Sequence, residues 1–297
     1  GVVVRDRRSG NVVIQGNCIG TTSDGQSDLV NGSGAILLQD INGVNIGGAS
    51  QSEGNVIVDD EYPVRCAYAD SCRISSNIIG RGNGQVMDAI RLEHSNNNVI
   101  GGSHDEGNIL IGAMENAIHL DYSSRNSILG NKIGIRDSKF GANGIYLYKS
   151  SNNIVGGEEY GHGNLIYSCA QTGILIAVSD SNIVSYNDIE TNIPGSVTSS
   201  YQAIGIVVHE SNASIIGGIG TGNVLRHNNR AAIVVEGPGA NLLSANAIYD
   251  NGFGIDLMGV AGATEANDTL DIDTGPNNLQ NYPTITTATA GSQTRVK

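Results

Sequence analysis

Tryptophan is absent from the 297-residue sequence, and aromatic residues make up only 4% of it. A globular domain with one large aromatic core is therefore not expected, because such cores bury many bulky rings. Basic residues are also few: Asp and Glu exceed Lys and Arg by 13, which argues against nucleic acid as a partner. No apolar run reaches the roughly 18 residues of a membrane-spanning helix, so we expect no membrane insertion.

Cysteine is also scarce, and zinc-site spacings are missing among Cys18, Cys66, Cys72 and Cys169. Cys66 occupies a position where other repeats carry an inward-facing Leu, which predicts a thiol in the core. A Cys66–Cys72 disulfide across one turn is the alternative, and sequence alone does not fix the connectivity.

The sequence does contain a repeat, best seen in Asn143-Gly144-Ile145-Tyr146-Leu147-Tyr148-Lys149. A small or polar residue is followed by Ile or Val, an outward position and another apolar residue. Most copies lie 26 to 29 residues apart. Their centres are Ile36, Val64, Ile90, Ile118, Ile145, Ile174, Ile206, Ile233 and Ile255. One short strand at such a period predicts a solenoid.

Two further nine-membered series keep the same cyclic order, so each coil has three strands. The first strand is an apolar pair, the second begins Asn-x-apolar, and the third is the Ile-centred strand. The predicted fold is an all-β, right-handed parallel β-helix of about nine coils. Because coils stack about 4.8 Å apart, each inward amide should donate to one neighbouring coil and accept from the other. These amides belong to Asn17, Asn55, Asn77, Asn108, Asn131, Asn164, Asn187, Asn223 and Asn246.

The periodicity divides the chain into a β-helix over residues 1–258, a capping or exit loop over 259–283, and a linker toward a missing domain over 284–297. The loop is acidic and rich in turn residues, as expected of a segment that covers the open end of a solenoid. Its oxygen donors Asp268, Asp271, Asp273 and Asn277 are candidate ligands for calcium. A plain capping loop is the alternative, because the distal Glu of a full calcium loop is missing.

A polar and aromatic patch in the third strands is the candidate functional site. Strand alternation predicts one outward column of Arg65, Arg91, His119 and Tyr146, and a second of Glu93, Asp121 and Tyr148. Flanking coils offer only aliphatic side chains in the first column, namely Leu37, Leu175, Val207 and Val234. An insertion that carries Arg136 and Lys139 is predicted to form one wall of a groove.

These side chains suggest chemistry on an acidic sugar chain. In this hypothesis His119, held by Asp121 or Glu93, takes a proton, Tyr146 gives one, and Arg91 joins Arg65 in clamping a carboxylate. The remaining side chains, Glu93, Asp121, Tyr148, Arg136 and Lys139, bind substrate. The reaction would be β-elimination or hydrolysis of a polyuronate-like polymer. The alternative is a solvated surface, since opposite charges on adjacent strands stabilise a sheet by about 0.2–1 kcal/mol per pair.

Three pieces of sequence carry a family resemblance: Gly16-Asn17-Cys18-Ile19-Gly20, Asn152-Asn153-Ile154-Val155-Gly156-Gly157, and the run from Asp273 to Pro283. They resemble right-handed parallel β-helix repeats of bacterial secreted and surface proteins, and at fold level pectate-lyase-like β-helices. The resemblance covers residues 1 to about 283. It implies an extracellular or cell-surface location, but not one activity, because the fold group includes lyases, hydrolases, epimerases, tailspikes and adhesins.

We therefore expect a protein that binds a polysaccharide or glycan along the outward face of the third strands. It is either a lyase, a hydrolase or a non-catalytic binding protein. The alternative is a non-catalytic spacer or adhesin module of a larger surface polypeptide. Self-association, end to end or lateral, is left open, and calcium is the one cofactor that the sequence suggests.

Overall fold

Nearly every element of the computed structural model is a short β-strand. The structure describes residues 1–5, 11–24, 27, 29, 34–58, 61–80, 86–103, 105–134, 141–159, 161–191, 203–257, 275–279, 288–289 and 295–296. Two short 3₁₀ helices, Gln51–Glu53 and Pro276–Leu279, interrupt the strands. No helix in these ranges is long and apolar enough to cross a membrane.

Three parallel sheets run along the molecule, and each is named for the place of its strands in the coil. The first sheet contains Val13–Ile14, Asn45–Gly47, Arg73–Ser75, Val99–Gly101, Ser127–Leu129, Ile154–Gly156, Ile183–Ser185, Ile215–Gly217 and Leu242–Ser244. The second contains Cys18–Ile19, Val56–Ile57, Ile78–Ile79, Ile109–Leu110, Lys132–Ile133, Leu165–Tyr167, Asp188–Glu190, Val224–Arg226 and Ala247–Tyr249. The third contains Val2–Arg5, Ile36–Gln39, Val64–Ala67, Asp88–Glu93, Asn116–Asp121, Asn143–Tyr148, Thr172–Ala177, Ile204–His209, Ala231–Glu236 and Ile255–Leu257.

The strand register confirms the predicted right-handed parallel β-helix. Every predicted centre of the third strands, from Ile36 to Ile255, pairs with the next centre along the chain. The third sheet has one more strand than the nine predicted, because Val2–Arg5 pairs with Ile36–Gln39. Within the predicted linker, Ala288–Thr289 pairs antiparallel with Arg295–Val296.

The interior is a column of aliphatic side chains, one layer per coil. Ile90, Ile118 and Ile145 are fully buried and stack in register on the third sheet, while Ile100 and Ile128 do the same on the first. Because strand alternation turns every second side chain inward, short strands are enough to fill the column.

The cysteines are unpaired thiols, so the disulfide alternative is not realised. Cys66 is buried in the core as predicted, and Cys72 and Cys169 are buried there too. Burial raises the pKa of all three thiols, that of Cys169 to about 12. Thiols this protonated are poor nucleophiles and poor metal ligands.

The predicted asparagine ladder is present along the whole stack. In coil after coil, the Oδ1 of one Asn accepts from both the backbone N and the Nδ2 of its predecessor, as Asn131 does from Asn108 at 3.1 and 2.9 Å. The same Nδ2 groups also donate to backbone carbonyls, which would otherwise be buried without partners. The ladder therefore satisfies the turn between the first two sheets.

A second amide ladder, which the sequence analysis missed, lines the turn between the third and first sheets. It runs through Asn98, Asn126, Asn153, Asn182, Ser214 and Asn241. Asn277 extends it, since its Oδ1 accepts from Asn241 N at 2.7 Å and its Nδ2 donates to Asn241 O at 3.0 Å. The described part of the predicted capping loop thus docks on the stack through this amide.

Candidate functional site

The outward face of the third sheet brings the predicted patch together in coils two to five. Arg65, Arg91, His119 and Tyr146 are consecutive strand partners, as are Glu93, Asp121 and Tyr148. The strands extend two residues before the predicted Ile centres, and this extension adds a third outward column of Asp88, Asn116 and Asn143, which the sequence analysis did not assign. A fourth column follows the strands in the turn and contains Tyr68, His94, Tyr122 and Lys149.

Both arginines of the patch are bound by carboxylates of the protein itself. Arg91 contacts three of them: Nε lies 2.6 Å from Glu93 Oε1, Nη1 lies 2.8 Å from Asp88 Oδ2, and Nη2 lies 3.6 Å from Asp121 Oδ2. Arg65 Nη2 lies 2.6 Å from Glu93 Oε2. The predicted clamp for a substrate carboxylate is therefore not free, because both guanidinium groups are already paired.

Asp88 is the residue that holds His119, so the prediction that Asp121 or Glu93 does so is wrong. His119 Nδ1 lies 3.0 Å from Asp88 Oδ2, and the Asp88 side chain is completely buried. Burial alone would raise the pKa of Asp88, but hydrogen bonds from His119, Asn116 and Arg91 lower it below its usual value. Asp88 is therefore an anion. Arg91 Nη1 also lies 3.0 Å from His119 Nδ1, and because a guanidinium only donates, the contacts of Nδ1 with Asp88 and with Arg91 require opposite tautomers of the imidazole.

The charge of Asp88 fixes the orientation of two amides. Because a carboxylate only accepts, Asn116 must turn its Nδ2 toward Asp88 Oδ1, at 2.7 Å. Asn116 Oδ1 then accepts from Asn143 Nδ2 at 3.0 Å. Asn143 Oδ1, at the end of this series of hydrogen bonds, has no partner among the described residues. The same is true of His119 Nε2 and Asp121 Oδ1.

Tyr146 stacks on the imidazole of His119, with the ring centroids 4.8 Å apart and the planes 22° from parallel. Burial raises the pKa of Tyr146, and the nearby Tyr148 and Asp121 raise it further. A phenol that holds its proton more tightly is a weaker acid, so this environment does not favour the predicted proton donation. The ring instead forms a half-buried aromatic surface over the histidine.

A second aromatic stack runs along the turn column. The rings of Tyr68 and His94 are 5.0 Å apart and those of His94 and Tyr122 are 5.1 Å apart, nearly parallel in both pairs. Lys149 Nζ lies 5.0 Å from the Tyr122 ring centroid and 2.8 Å from its hydroxyl. These residues adopt positive φ. In other coils Asp40 and Glu210 adopt it at the same place, so the fold does not require aromatic residues there.

Beyond coil five the outward face changes from polar to apolar. Val207 and Val234 continue the Arg91–Tyr146 column, but they are buried rather than solvent-facing as predicted. With Ile204 and Ala231 they form a second apolar cluster, and Leu175 packs against it. The patch is therefore bounded on one side by a covered hydrophobic region.

Several predicted site residues lie outside the described part of the chain. They are Arg136, Lys139, Asp268, Asp271 and Asp273. Asn277 is described, and both ends of its amide are used in the ladder contact with Asn241. The described residues contain no group of three His, Cys, Asp or Glu side chains that could hold a metal ion.

The sequence analysis missed Asp88, although a signal was available. Asp88, Asn116, Asn143 and Thr172 stand at one offset before the Ile of the third strand. Four polar residues in register on adjacent coils indicate an outward column, just as the asparagines of the second strands indicate a ladder. The inward-facing Ala or Gly between each of them and the Ile interrupts the alternation, which on its own assigns these polar residues to the interior.

Comparison with known proteins gives one family match: residues 3–200 match the family described as periplasmic copper-binding protein (NosD). A comparison with curated proteins finds no match.

Solved structures with the same fold include a mutant of the periplasmic alginate epimerase AlgG, with 15% identity and a TM-score of 0.55 over 84% of this chain and 68% of that one. DFA-IIIase from Arthrobacter chlorophenolicus A6, in complex with GF2, has 15% identity and a TM-score of 0.56 over 86% of this chain and 63% of that one. The Dettilon tailspike protein has 15% identity and a TM-score of 0.52, and this chain spans 47% of its length. At such identities the similarities establish the fold alone.

Proposed function

The chain belongs to the family of periplasmic copper-binding protein (NosD), since two thirds of it match that family, and from this premise and the geometry of the patch we propose a periplasmic β-helix that binds a carbohydrate chain. The ligand lies across the outward face of the third sheet, over coils two to five. A periplasmic location follows the family description and replaces a cell-surface location as the working hypothesis.

The observation that best supports this proposal is the concentration of aromatic rings on this face. Five of the eleven tyrosines of the chain lie in or beside the patch, and they are Tyr62, Tyr68, Tyr122, Tyr146 and Tyr148. Binding sites for small polar ligands combine such rings with a few fixed polar groups. The same columns hold Leu37, Ala177 or Val178 in other coils, so stacking of the coils alone does not explain the rings.

The names of structural neighbours add support, because alginate epimerase and DFA-IIIase are carbohydrate-active proteins. This support is limited to the class of ligand. Their fold is shared with this chain at 15% identity, and function resides in the particular residues of a site.

Copper, which the family description names, does not fit the described donor residues. Copper prefers imidazole and soft sulfur ligands. The thiols of Cys66, Cys72 and Cys169 are buried in the core with raised pKa values. The imidazole of His119 is tied to Asp88, and no three-donor group of His, Cys, Asp or Glu exists in the described ranges. Copper therefore has no part in the proposal.

The proposal is tested by affinity electrophoresis of the whole chain through gels that contain a panel of polysaccharides. We expect at least one polymer to retard the protein and Tyr146→Ala to remove the retardation while a melting curve shows that the variant remains folded. Tyr249→Ala is the matched control, because Tyr249 is a half-exposed tyrosine on the second sheet. Retardation that survives Tyr146→Ala, or none with any polymer, refutes the proposal and leaves the spacer alternative.

Catalysis is a second candidate, favoured by one observation. Asp88 orients His119 through Nδ1, the arrangement in which a carboxylate holds a general base. The test is incubation with the same panel, followed by unsaturated-uronate absorbance and by new reducing ends. Activity that His119→Ala abolishes and His209→Ala keeps would establish an enzyme, since His209 pairs with Glu236 on the same sheet outside the patch.

A further inference from the structure

The charges of the patch bear on which carbohydrate it binds. Asp88, Glu93 and Asp121 face Arg65 and Arg91, so three carboxylates surround two guanidinium groups. Lys149 adds a third cation at the edge of the patch, over the Tyr122 and Tyr148 rings. The chain as a whole carries a formal charge of −13. A ligand carboxylate would have to displace a protein carboxylate from an arginine and then lie beside three like charges. Such juxtaposition of like charges excludes wrong partners at an interface.

The patch contains buried hydrogen-bonding atoms that have no partner among the described residues. Asn143 Oδ1 and Asp121 Oδ1 are buried oxygens without a described partner, and both can only accept. His119 Nε2 is also buried without a partner among the described residues, and a hydroxyl group can pair with it in either tautomer because a hydroxyl both donates and accepts. Buried polar atoms in folded proteins are nearly always paired, so these three atoms in adjacent coils call for partners from outside the described residues.

These three atoms lie together around Tyr146. His119 stacks directly under its ring, Asn143 is three residues before it on the same strand, and Asp121 is the strand partner of Tyr148. His119 and Asn143 are each more than nine-tenths buried. A ligand would thus meet a half-buried aromatic ring and, beneath it, polar atoms that have no hydrogen-bond partner among the described residues.

We propose that the patch selects a neutral glycan whose hydroxyl groups donate to Asn143 and Asp121 and pair with His119, and that it excludes uronate-type polymers. This inference rests on the proposed carbohydrate-binding function and reverses the preference for acidic sugars expected from the sequence. Sugar hydroxyls satisfy it because each supplies a donor without adding charge. Tyr146 contributes an apolar surface for the sugar ring.

The experiment compares polymers that differ only in charge. Dextran is paired with carboxymethyl-dextran, and methyl-esterified polygalacturonate is paired with polygalacturonate. Galactan, mannan, xylan and β-glucan extend the neutral arm. Binding of the whole chain is measured by affinity electrophoresis and repeated at raised salt, where charge repulsion is screened. We expect binding to a neutral polymer, with the carboxylated form of a bound polymer weaker by about tenfold or more at low salt.

Two variants connect the preference to the named atoms. Asn143→Ala removes one acceptor and should weaken neutral binding several-fold. Asp121→Asn keeps an oxygen and the shape but removes a negative charge, so the carboxylated form should gain relative to the neutral one. Glu236→Gln is the matched control, because Glu236 stands in the Asp121 column four coils further along. Melting curves show that each variant is folded.

The outcomes separate the two levels of the proposal. Tighter binding to the carboxylated polymers, or no effect of Asp121→Asn on the preference, overturns the neutral class and leaves carbohydrate binding in place. Unchanged neutral binding in folded Asn143→Ala also overturns the assigned acceptors, and indicates that internal water satisfies them. No binding to any polymer overturns this inference together with the proposed function.

Discussion

Replacement of one asparagine in the middle of the ladder should cost far more than replacement of one at its start. Asn131 Oδ1 accepts two hydrogen bonds from Asn108, and Asn131 Nδ2 contacts Ile100 O, Leu129 O and Asn164 Oδ1 at 3.0 to 3.1 Å. Two Nδ2 protons serve three acceptors, so about four full bonds are lost in Asn131→Ala. At about 1 kcal/mol each, the loss in unfolding free energy is about 4 kcal/mol.

Asn17 gives the comparison within the same chain. Its Nδ2 donates to Gln15 O at 2.9 Å and Asn55 Oδ1 at 3.0 Å in a more exposed environment, where water replaces a lost partner. Asn17→Ala should therefore cost about 1 kcal/mol or less. The assay is urea unfolding followed by far-ultraviolet circular dichroism, with hydrogen exchange of the flanking coils as a local measurement.

A third variant separates hydrogen bonding from packing. Asn131→Asp keeps the shape but has no donor, so it places an oxygen against Asn164 Oδ1 and two carbonyls. If hydrogen bonds dominate, the Asp variant is at least as unstable as the Ala variant. A milder effect of Asp than of Ala, or an equal cost for Asn17→Ala and Asn131→Ala, would refute the reasoning.

Three further predictions concern single positions. Gly101→Ala should cost about 3 kcal/mol or more, because a Cβ at φ +86° would overlap Leu129 O. Gly16→Ala, at φ +68° with open space around it, should cost only about 1–2 kcal/mol of left-handed strain. Thermal melts of both variants check this, and equal costs would contradict it. Arg91→Ala should lower the unfolding free energy by about 3 kcal/mol, because it leaves the buried Asp88 without its cation. Arg65→Ala should lower it by less than about 1 kcal/mol, because the Arg65 side chain is 43% exposed. Urea unfolding midpoints of the two variants test this, and similar values would contradict it. The folded-state pKa values of Asp88 and Glu93 are lowered, so the stability that these carboxylates add is complete above their unfolded pKa of ~4 and is lost as pH falls through the folded values. Asp88→Asn should therefore reduce the fall of the unfolding free energy between about pH 5 and pH 3, measured by urea unfolding. An unchanged pH dependence would contradict this.

The fold was predictable from the sequence because inward positions are constrained twice. A residue such as Ile118 must fill the interior and must also stack on Ile90 and Ile145 about 4.8 Å away, so the same residue type returns in each coil. The ladder asparagines obey the same rule, since each amide needs an identical amide above and below. Repetition of this kind is visible in a single sequence.

The patch was predictable only as a set of outward residues. Strand alternation gives the face of Arg91, but its long side chain reaches carboxylates on its own coil and on the next, and alternation does not choose among them. Asp88 was not among the predicted outward positions. It takes the partner role that the sequence analysis had given to Asp121 or Glu93, and it turns Arg91 from a free clamp into part of a buried network.

Burial on the outward face was also beyond prediction. The alternation that places Arg91 outward places Val207 and Val234 outward as well, yet the valines are buried. What covers an outward residue is decided by segments distant in sequence, which a local period does not report. The run of aliphatic residues in the outward column was the sequence signal that this part of the face is covered.

The asparagine ladder gives the solenoid a polarity. Within the ladder, each amide-to-amide bond runs from the Nδ2 of one Asn to the Oδ1 of the Asn in the following coil, as in the links from Asn108 to Asn131 and from Asn131 to Asn164. Aligned amides polarise one another and add up to an axial dipole. A whole coil can consequently be inserted or removed without leaving an amide donor unpaired. A coil turned end for end would instead place one amide oxygen against another. Growth of such a molecule by duplication is therefore permitted in units of one coil and in one direction.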